Sequence, residues 1–334
     1  MSKFAQKSFA PSTQSSGNSG GNTNVDWDGL NKHVAESVQE VLGCDEGSPA
    51  AAIGIISGIV DYGKHQDPER VEPMDEGDVA AKKWKSDMVS KGKAENRDGV
   101  FHYQAAPCQE VGIFVDFPSV SVDKGQFFGD SNPAPYRVLL GGVFKGEPAQ
   151  KTKIQGYPND QRVWVFGDKN RATKLAKAGK LPNLKDGFAQ DRLLELIGKA
   201  MTFNVEVFVN DAGFLQEKVT NPSPVMAGIP LPTIDEDLLF YVGLNEDNED
   251  TYVKYLTKPV KEYCKLALDF EGSKLAAQLE ALESSQQASN GGGTQSPSAQ
   301  EKSSEKVVQK QETPVKQETP VYNDMPDFDD DIPF

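Results

Sequence analysis

The chain has 334 residues, with 35 Lys or Arg against 50 Asp or Glu, which gives a net charge of −15. Its three cysteines are widely spaced and accompany only three histidines, so no spacing typical of a zinc site occurs. The chain has no signal peptide and no apolar run long enough to span a membrane. We therefore expect a cytoplasmic protein with free thiols and without a metal ion or other cofactor.

Polar, low-complexity segments divide the chain into four parts. Residues 1–25 predict a disordered N-terminal arm, and residues 284–321 predict a disordered linker that contains a tandem Lys-Gln-Glu-Thr-Pro-Val repeat. Residues 26–283 are long enough to bury a sizeable core, and residues 322–334 form a separate acidic tip.

The elements of the folded part are predicted from apolar periodicity and turn signals. A helix is expected over residues 26–43, because Leu30, Val34, Val38 and Leu42 recur every four residues before Gly43, and Asp26 or Asp28 can cap its start. A β-branched run at residues 51–62 predicts a strand, and its interspersed glycines predict bulges or bends. The remaining predictions are a possible helix near 76–91, strands at 110–122, 136–144, 162–166, 203–209 and 238–244, and helices at 188–201 and 259–282, the last with a weak point at Gly272.

Cationic and aromatic residues alternate in a few stretches, a pattern that the binding of single-stranded nucleic acid requires. Residues 145–185 carry ten Lys or Arg against three Asp or Glu, in an otherwise acidic chain. Phosphates need cations along a groove, and bases need aromatic faces on which to stack. The candidate DNA-binding residues are Lys82, Lys83, Trp84, Lys85, Tyr136, Arg137, Lys145, Lys151, Lys153, Tyr157, Arg162, Trp164, Lys169, Arg171 and Lys174.

Each of these stretches has a plainer interpretation. Trp84 could be a partly buried surface aromatic, and residues 169–185 could be the solvated face of a helix. If its neighbours Val163 and Val165 face the core, Trp164 faces the groove, since successive side chains of a strand point to opposite sides.

The last eleven residues contain five Asp and no Lys or Arg, and they end in Ile-Pro-Phe. Such a segment repels itself, yet it presents an apolar anchor beside negative charge to a partner with a small pocket and a basic rim. The segment Met325–Phe334 resembles the acidic tip of bacterial single-stranded DNA-binding proteins, including those of some phages. The tip residues that carry this resemblance are Asp327, Phe328, Asp329, Asp330, Asp331, Ile332, Pro333 and Phe334.

The resemblance implies a protein that coats single-stranded DNA in replication, recombination and repair, and whose tip recruits a polymerase, primase, helicase or nuclease. The body is much longer than that of typical bacterial members, which favours a phage protein and a monomer or weak oligomer. A β-rich α+β fold is predicted, and the resemblance favours a small OB-fold-like barrel with added helices; an elaborated sandwich would leave a similar pattern.

Two other functions remain open on the sequence. The chain could be a replication or recombination adaptor that docks by its tip without binding DNA. It could also be a metal-dependent nuclease, if the acidic loops Asp235–Asp237 and Glu246–Asp250 gather a divalent ion. Because no recognisable catalytic motif occurs, we expect a binding protein rather than an enzyme.

Overall fold

A computed structural model describes residues 26–129, 131, 133–144, 146–210 and 213–290. Its elements in chain order are α1 (Trp27–Leu42), β1 (Ala50–His65), β2 (Arg70–Pro73), α2 (Val79–Ser90), β3 (Glu95–Arg97), β4 (Val100–Tyr103), β5 (Cys108–Val122), α3 (Gly125–Phe128), β6 (Ala134–Leu139), β7 (Val143–Phe144), β8 (Glu147–Pro148), β9 (Thr152–Lys153), β10 (Gly156–Pro158), β11 (Trp164–Phe166), α4 (Arg171–Ala178), β12 (Phe188–Ala189), β13 (Ala200–Val209), β14 (Leu215–Ser223), β15 (Phe240–Val242), α5 (Asp250–Tyr255), α6 (Lys258–Lys265) and α7 (Lys274–Asn290). Short 3-10 helices cover Gln190–Leu196 and Glu236–Leu238. No helix in these ranges is both long and apolar enough to cross a lipid bilayer.

The first helix confirms its prediction at both ends. The Asp26 carboxylate accepts a hydrogen bond from the Gly29 backbone N–H at 2.9 Å, which caps the start of α1. Gly43 takes the left-handed conformation with φ of 64°, which an L side chain rarely adopts, and this ends the helix. The face that carries Leu30 and Val38 is buried, as the four-residue spacing predicts.

A seven-stranded sheet forms the centre of the fold. Its main strand order is β14-β13-β1-β5-β6, with β15 beside β1 and β9 beside β5. All of its pairs are antiparallel except that between β1 and β15. Within the described ranges β14 and β6 do not pair, so the sheet stays open and the predicted closed barrel is not found.

Helices cover both faces of this sheet, which explains why it need not close. On one face α1, α4 and the 190–196 helix contribute to a core with β1, β5 and β13. On the other face β15 and helices α5, α6 and α7 build a second core against β1 and β5. Strand β1 is therefore buried along most of its length, as strands covered on both faces are.

Glycines in β1 make room for aromatic rings. A Cβ at Gly54 would lie 2.5 Å from Val115 Cγ1, and close to the rings of Phe117 and Phe203, which meet edge to face across β1. The Phe240 ring covers Gly58 in the same way. A register shift between Ile56 and Gly58 confirms the predicted bulge.

Two predicted helices differ from the structure. The 188–201 helix is wrong, because Gly198 with φ of 80° follows a short 3-10 helix and β13 then begins at Ala200. The final helix is two helices, α6 and α7, separated by a turn that contains Gly272 with φ of 81°. A left-handed glycine inside a run of helical periodicity divides the run in both places.

Candidate nucleic-acid interface

The hairpin of β10 and β11 carries the exposed aromatic residues of the basic segment. Tyr157 lies opposite Val165, and Pro158 lies opposite Trp164. Val165 and Phe166 are buried, and the Phe166 ring packs against Phe188 of β12 with 5.7 Å between centroids. Buried side chains of β11 thus fix the hairpin to the core, which holds its turn in place.

Asn159 organises the turn between β10 and β11. Its side-chain oxygen accepts hydrogen bonds from the backbone N–H groups of Gln161 and Val163, both at 3.0 Å. The Arg162 N–H donates to the Asn159 carbonyl at 2.8 Å, and Arg162 has φ of 62°. A left-handed L residue costs about 1 kcal/mol, so the turn holds Arg162 against its local preference. The Arg162 side chain is exposed.

Trp164 faces away from the core. It is 57% exposed whereas Val165 is buried, so Trp164 points outward, as the alternative with Val165 in the core requires. Val163 is itself 41% exposed, so only one of the two valines faces the core. Tyr157 is also 41% exposed, but successive cross-strand pairs point to opposite faces of a hairpin. The two rings therefore offer separate stacking surfaces.

Helix α4 presents lysines beside this hairpin. The Asn170 side chain caps the helix by accepting from the Ala172 N–H at 2.8 Å, and it donates to the Lys153 carbonyl at 3.0 Å. The face with Ala172 and Leu175 is buried, while Lys174 and Lys177 are exposed. Lys177 pairs with Asp168 at 2.8 Å, whereas Lys174 makes no ion pair with a described residue.

Lys185 joins the group through a contact that no sequence pattern reveals. The Asn159 amide donates to the Asp186 carbonyl at 3.1 Å, which brings the loop of Lys185 next to the hairpin turn. Lys185 is exposed. Its only sequence signal is its place at the end of the basic run, 23 residues after Arg162.

Other predicted cations are already engaged. Lys151 lies 3.6 Å from Glu147 and 4.4 Å from the centre of the Tyr263 ring. Lys153 pairs with Asp67 at 2.7 Å, and Arg171 donates to Gln150 at 2.5 Å. Lys169 is exposed, and Lys145 lies outside the described residues. A phosphate would have to compete with these internal partners.

The prediction for Lys85 is wrong, because this side chain is only 1% exposed. Its Nζ donates to the carbonyls of Pro73 and Glu76 at 2.7 and 2.9 Å and lies 3.3 Å from a Glu72 carboxylate oxygen. A buried ammonium with three oxygen partners fixes the small β2-β4-β3 sheet to α2 and cannot reach a phosphate.

Tyr136 and Arg137 are also structural. Tyr136 is 4% exposed and packs against Phe117 at 5.7 Å. The Arg137 guanidinium forms two hydrogen bonds to the buried Asp116 carboxylate, at 2.7 and 2.9 Å, which also accepts from Ser57 at 2.7 Å. A third Arg137 bond reaches the Leu238 carbonyl at 2.9 Å. These contacts join three parts of the chain and leave neither residue for DNA.

The stretch at residues 82–84 lies apart from the hairpin. Trp84 is half-buried, with its ring 5.3 Å from Phe101 and 5.8 Å from Tyr103, and the Arg70 guanidinium lies 5.2 Å from its centre. This agrees with the interpretation of Trp84 as a partly buried surface aromatic. Lys82 and Lys83 are exposed on α2, and Lys83 pairs with Asp87 at 2.8 Å.

The acidic loops have internal roles. Asp235 accepts from the Asp237 N–H at 3.2 Å and so caps the 236–238 helix, and Asp247 pairs with Lys274 at 2.7 Å. The acidic tip, residues 322–334, lies outside the described residues.

The comparisons with known proteins give no family for this chain. No protein-family model, no curated protein and no solved structure matches it. The hairpin and the sequence are therefore the features that bear on its function.

Proposed function

We propose that this chain binds single-stranded DNA without sequence preference, as a phage-type protein of replication, recombination and repair. The observation that supports the proposal best is the exposed Trp164 beside Arg162, on a turn rooted in the core within the most basic segment of an acidic chain. An indole stacks on any base, and a guanidinium pairs with any phosphate, so this arrangement needs no sequence information.

The cations nearest to this turn define the expected path of the phosphates. Arg162 and Lys174 make no ion pair with the residues that the structure describes, and Lys185 lies in the neighbouring loop. Lys151 and Lys153 can contribute only by exchanging Glu147 and Asp67 for phosphate. About three phosphate contacts predict a moderate dependence of affinity on salt, because each releases counterions.

The acidic tip would recruit partner proteins to the bound DNA. Phe334, Pro333 and Ile332 provide an apolar anchor, and Asp329, Asp330 and Asp331 match a basic rim on a polymerase, primase, helicase or nuclease. The same negative charge can compete for Arg162 and Lys174 when DNA is absent. Deletion of residues 324–334 should then tighten DNA binding at low salt, and an unchanged affinity would contradict this competition.

The first test is the binding of the full chain to fluorescent oligo-dT, compared with duplex DNA, across a salt series. We expect a salt-sensitive preference for the single strand. If neither the full chain nor the tip-deleted chain binds at low salt, the proposal fails and the tip remains a docking segment of an adaptor.

A sharper test uses the strained backbone of Arg162. Glycine tolerates φ of 62°, so Arg162→Gly should preserve or raise the free energy of unfolding while it removes one phosphate contact. We expect the slope of log K against log salt to become shallower by about 0.7. The control is Lys254→Gln, which removes an exposed lysine of α5 on the opposite face of the sheet. Equal losses of affinity in both variants would refute a role for this turn.

A further inference from the structure

A second exposed aromatic surface lies at the start of α1. Trp27 and Phe128 are 60% and 55% exposed, and their rings meet edge to face with 6.3 Å between centroids. His33 of α1 is hydrogen-bonded to the Asp123 carbonyl at 2.8 Å and lies 5.7 Å from the Phe127 ring. Helix α1 is thereby fixed against α3, so the two exposed rings keep their mutual position. We call Trp27 and Phe128 the aromatic patch.

Acidic residues are close in the chain to both rings of the aromatic patch. Asp26 and Asp28 lie on either side of Trp27 in the chain, and Asp123 precedes α3. Lys124 is the only Lys or Arg among residues 121–129, and Lys32 on α1 pairs with Glu36 at 3.6 Å. Carboxylates next to exposed rings repel phosphate, so this surface does not suit nucleic acid. It suits a ligand that carries both positive charge and apolar rings.

The chain itself contains such a ligand. Residues 2–9 read Ser-Lys-Phe-Ala-Gln-Lys-Ser-Phe, with two lysines, two phenylalanines and no acidic residue. The intervening residues 10–25 are mainly Ser, Gly, Asn and Thr, and a linker of that composition and length spans about 20–24 Å on average. Residue 26 adjoins the aromatic patch directly, so the linker ends where the ligand would bind.

We propose that residues 2–9 dock onto the aromatic patch of the same molecule, with Phe4 and Phe9 against Trp27 and Phe128 and with Lys3 and Lys7 near the carboxylates. The same copy is favoured over a second copy by effective concentration. A short flexible linker holds its ends at about millimolar concentration relative to each other. A second copy at micromolar concentration competes poorly with that.

The test uses 5-fluorotryptophan in the full chain. The protein has three tryptophans, so the fluorine resonance of Trp27 can be assigned with Trp27→Phe. The shift of this resonance between H₂O and D₂O reports whether the indole is covered. We expect Trp27 to be protected in the full chain and to lose this protection in Phe4→Ser/Phe9→Ser. The Trp164 resonance should stay unchanged.

Two further variants complete the design. Lys3→Glu/Lys7→Glu should also expose Trp27, because the carboxylates would then repel the segment. Phe328→Ser, which removes an aromatic residue of the acidic tip, serves as the matched control and should leave Trp27 protected. The proposal is overturned if Trp27 is equally exposed in the full chain and in the Phe4→Ser/Phe9→Ser variant, or if its protection depends on Phe328. It is also overturned if protection disappears on dilution, since that would assign the segment to a second copy.

Discussion

Replacement of Trp164 by alanine should weaken the binding of single-stranded DNA with little effect on stability. Because the indole is 57% exposed, its removal should change the free energy of unfolding by about 0.5 kcal/mol or less. Stacking of one base on an aromatic ring contributes about 1–3 kcal/mol. Slightly more than half of the Trp164 surface is available, so we expect the lower part of that range, about 1–2 kcal/mol. That loss corresponds to an approximately 5- to 30-fold rise in Kd.

The assay is fluorescence anisotropy with labelled oligo-dT at two salt concentrations. Trp27→Ala is the matched control, because Trp27 is equally exposed but lies on the acidic aromatic patch. Trp164→Phe should retain a large part of the affinity, since phenylalanine keeps an aromatic face. The salt dependence should be the same in the chain and in Trp164→Ala, because stacking releases no counterions.

Two results would refute this reasoning. If Trp164→Ala binds oligo-dT as tightly as the unaltered chain does, the hairpin is not a stacking surface. If Trp27→Ala weakens binding as much as Trp164→Ala does, exposure alone explains the effect and the position of the hairpin is irrelevant.

Three further predictions concern groups inside the fold. Arg137→Ala should lower the free energy of unfolding, measured by urea titration, by about 3–5 kcal/mol, because it leaves the Asp116 carboxylate buried without its cation. Replacement of both Arg137 and Asp116 by leucine should recover much of this loss. An equal loss in the double variant would contradict the argument. Burial raises the pKa of Glu217 to about 7, so its protonated form stabilises the fold below pH 4.5 and this contribution disappears as pH rises through 7. Stability should fall between about pH 5 and 8 by about 1–3 kcal/mol more in the unaltered chain than in Glu217→Gln, whereas the exposed Glu36→Gln should keep the steeper profile. Cys108 is half-buried, whereas Cys44 and Cys264 are buried, and burial raises the pKa of the Cys108 thiol. We therefore expect Cys108 alone to react with a disulfide reagent, slowly at neutral pH and faster as pH rises. Equal reaction rates of all three thiols would contradict this prediction.

Local chemistry made parts of this fold predictable. The cap at Asp26 and the stop at Gly43 depend on residues within one turn of each end, so the first helix could be placed almost to the residue. The alternation of residues 110–122 likewise places β5, because apolar side chains at every second position indicate a strand, although the structure also buries the other face of its first half. The segment 188–201 differs because Leu193 and Ile197 fit a helical stripe, although a left-handed Gly198 divides it.

The roles of charged residues depended on contacts that are distant in sequence. Lys85 finds its oxygens 9 to 13 residues away, and Arg137 finds Asp116 on a neighbouring strand. A run of lysines next to a tryptophan cannot reveal such partners. Trp164 and Arg162 stay candidates because both are exposed on a short hairpin, where a side chain has few internal partners.

The small sheet of β2, β4 and β3, with α2, leaves the central sheet at His65 and returns to it at Cys108. Those two residues are direct cross-strand neighbours, so a tight two-residue turn could join them without altering the register of β1 and β5. The segment between His65 and Cys108 could therefore be replaced without a change in the pairing of β1 and β5. We expect a chain in which a two-residue turn replaces residues 66–107 to keep the central sheet, measured by circular dichroism, and loss of the cooperative unfolding transition would count against it. Such a position would also accept a foreign domain or a fluorescent reporter, at a distance in the chain from both the hairpin and the acidic tip.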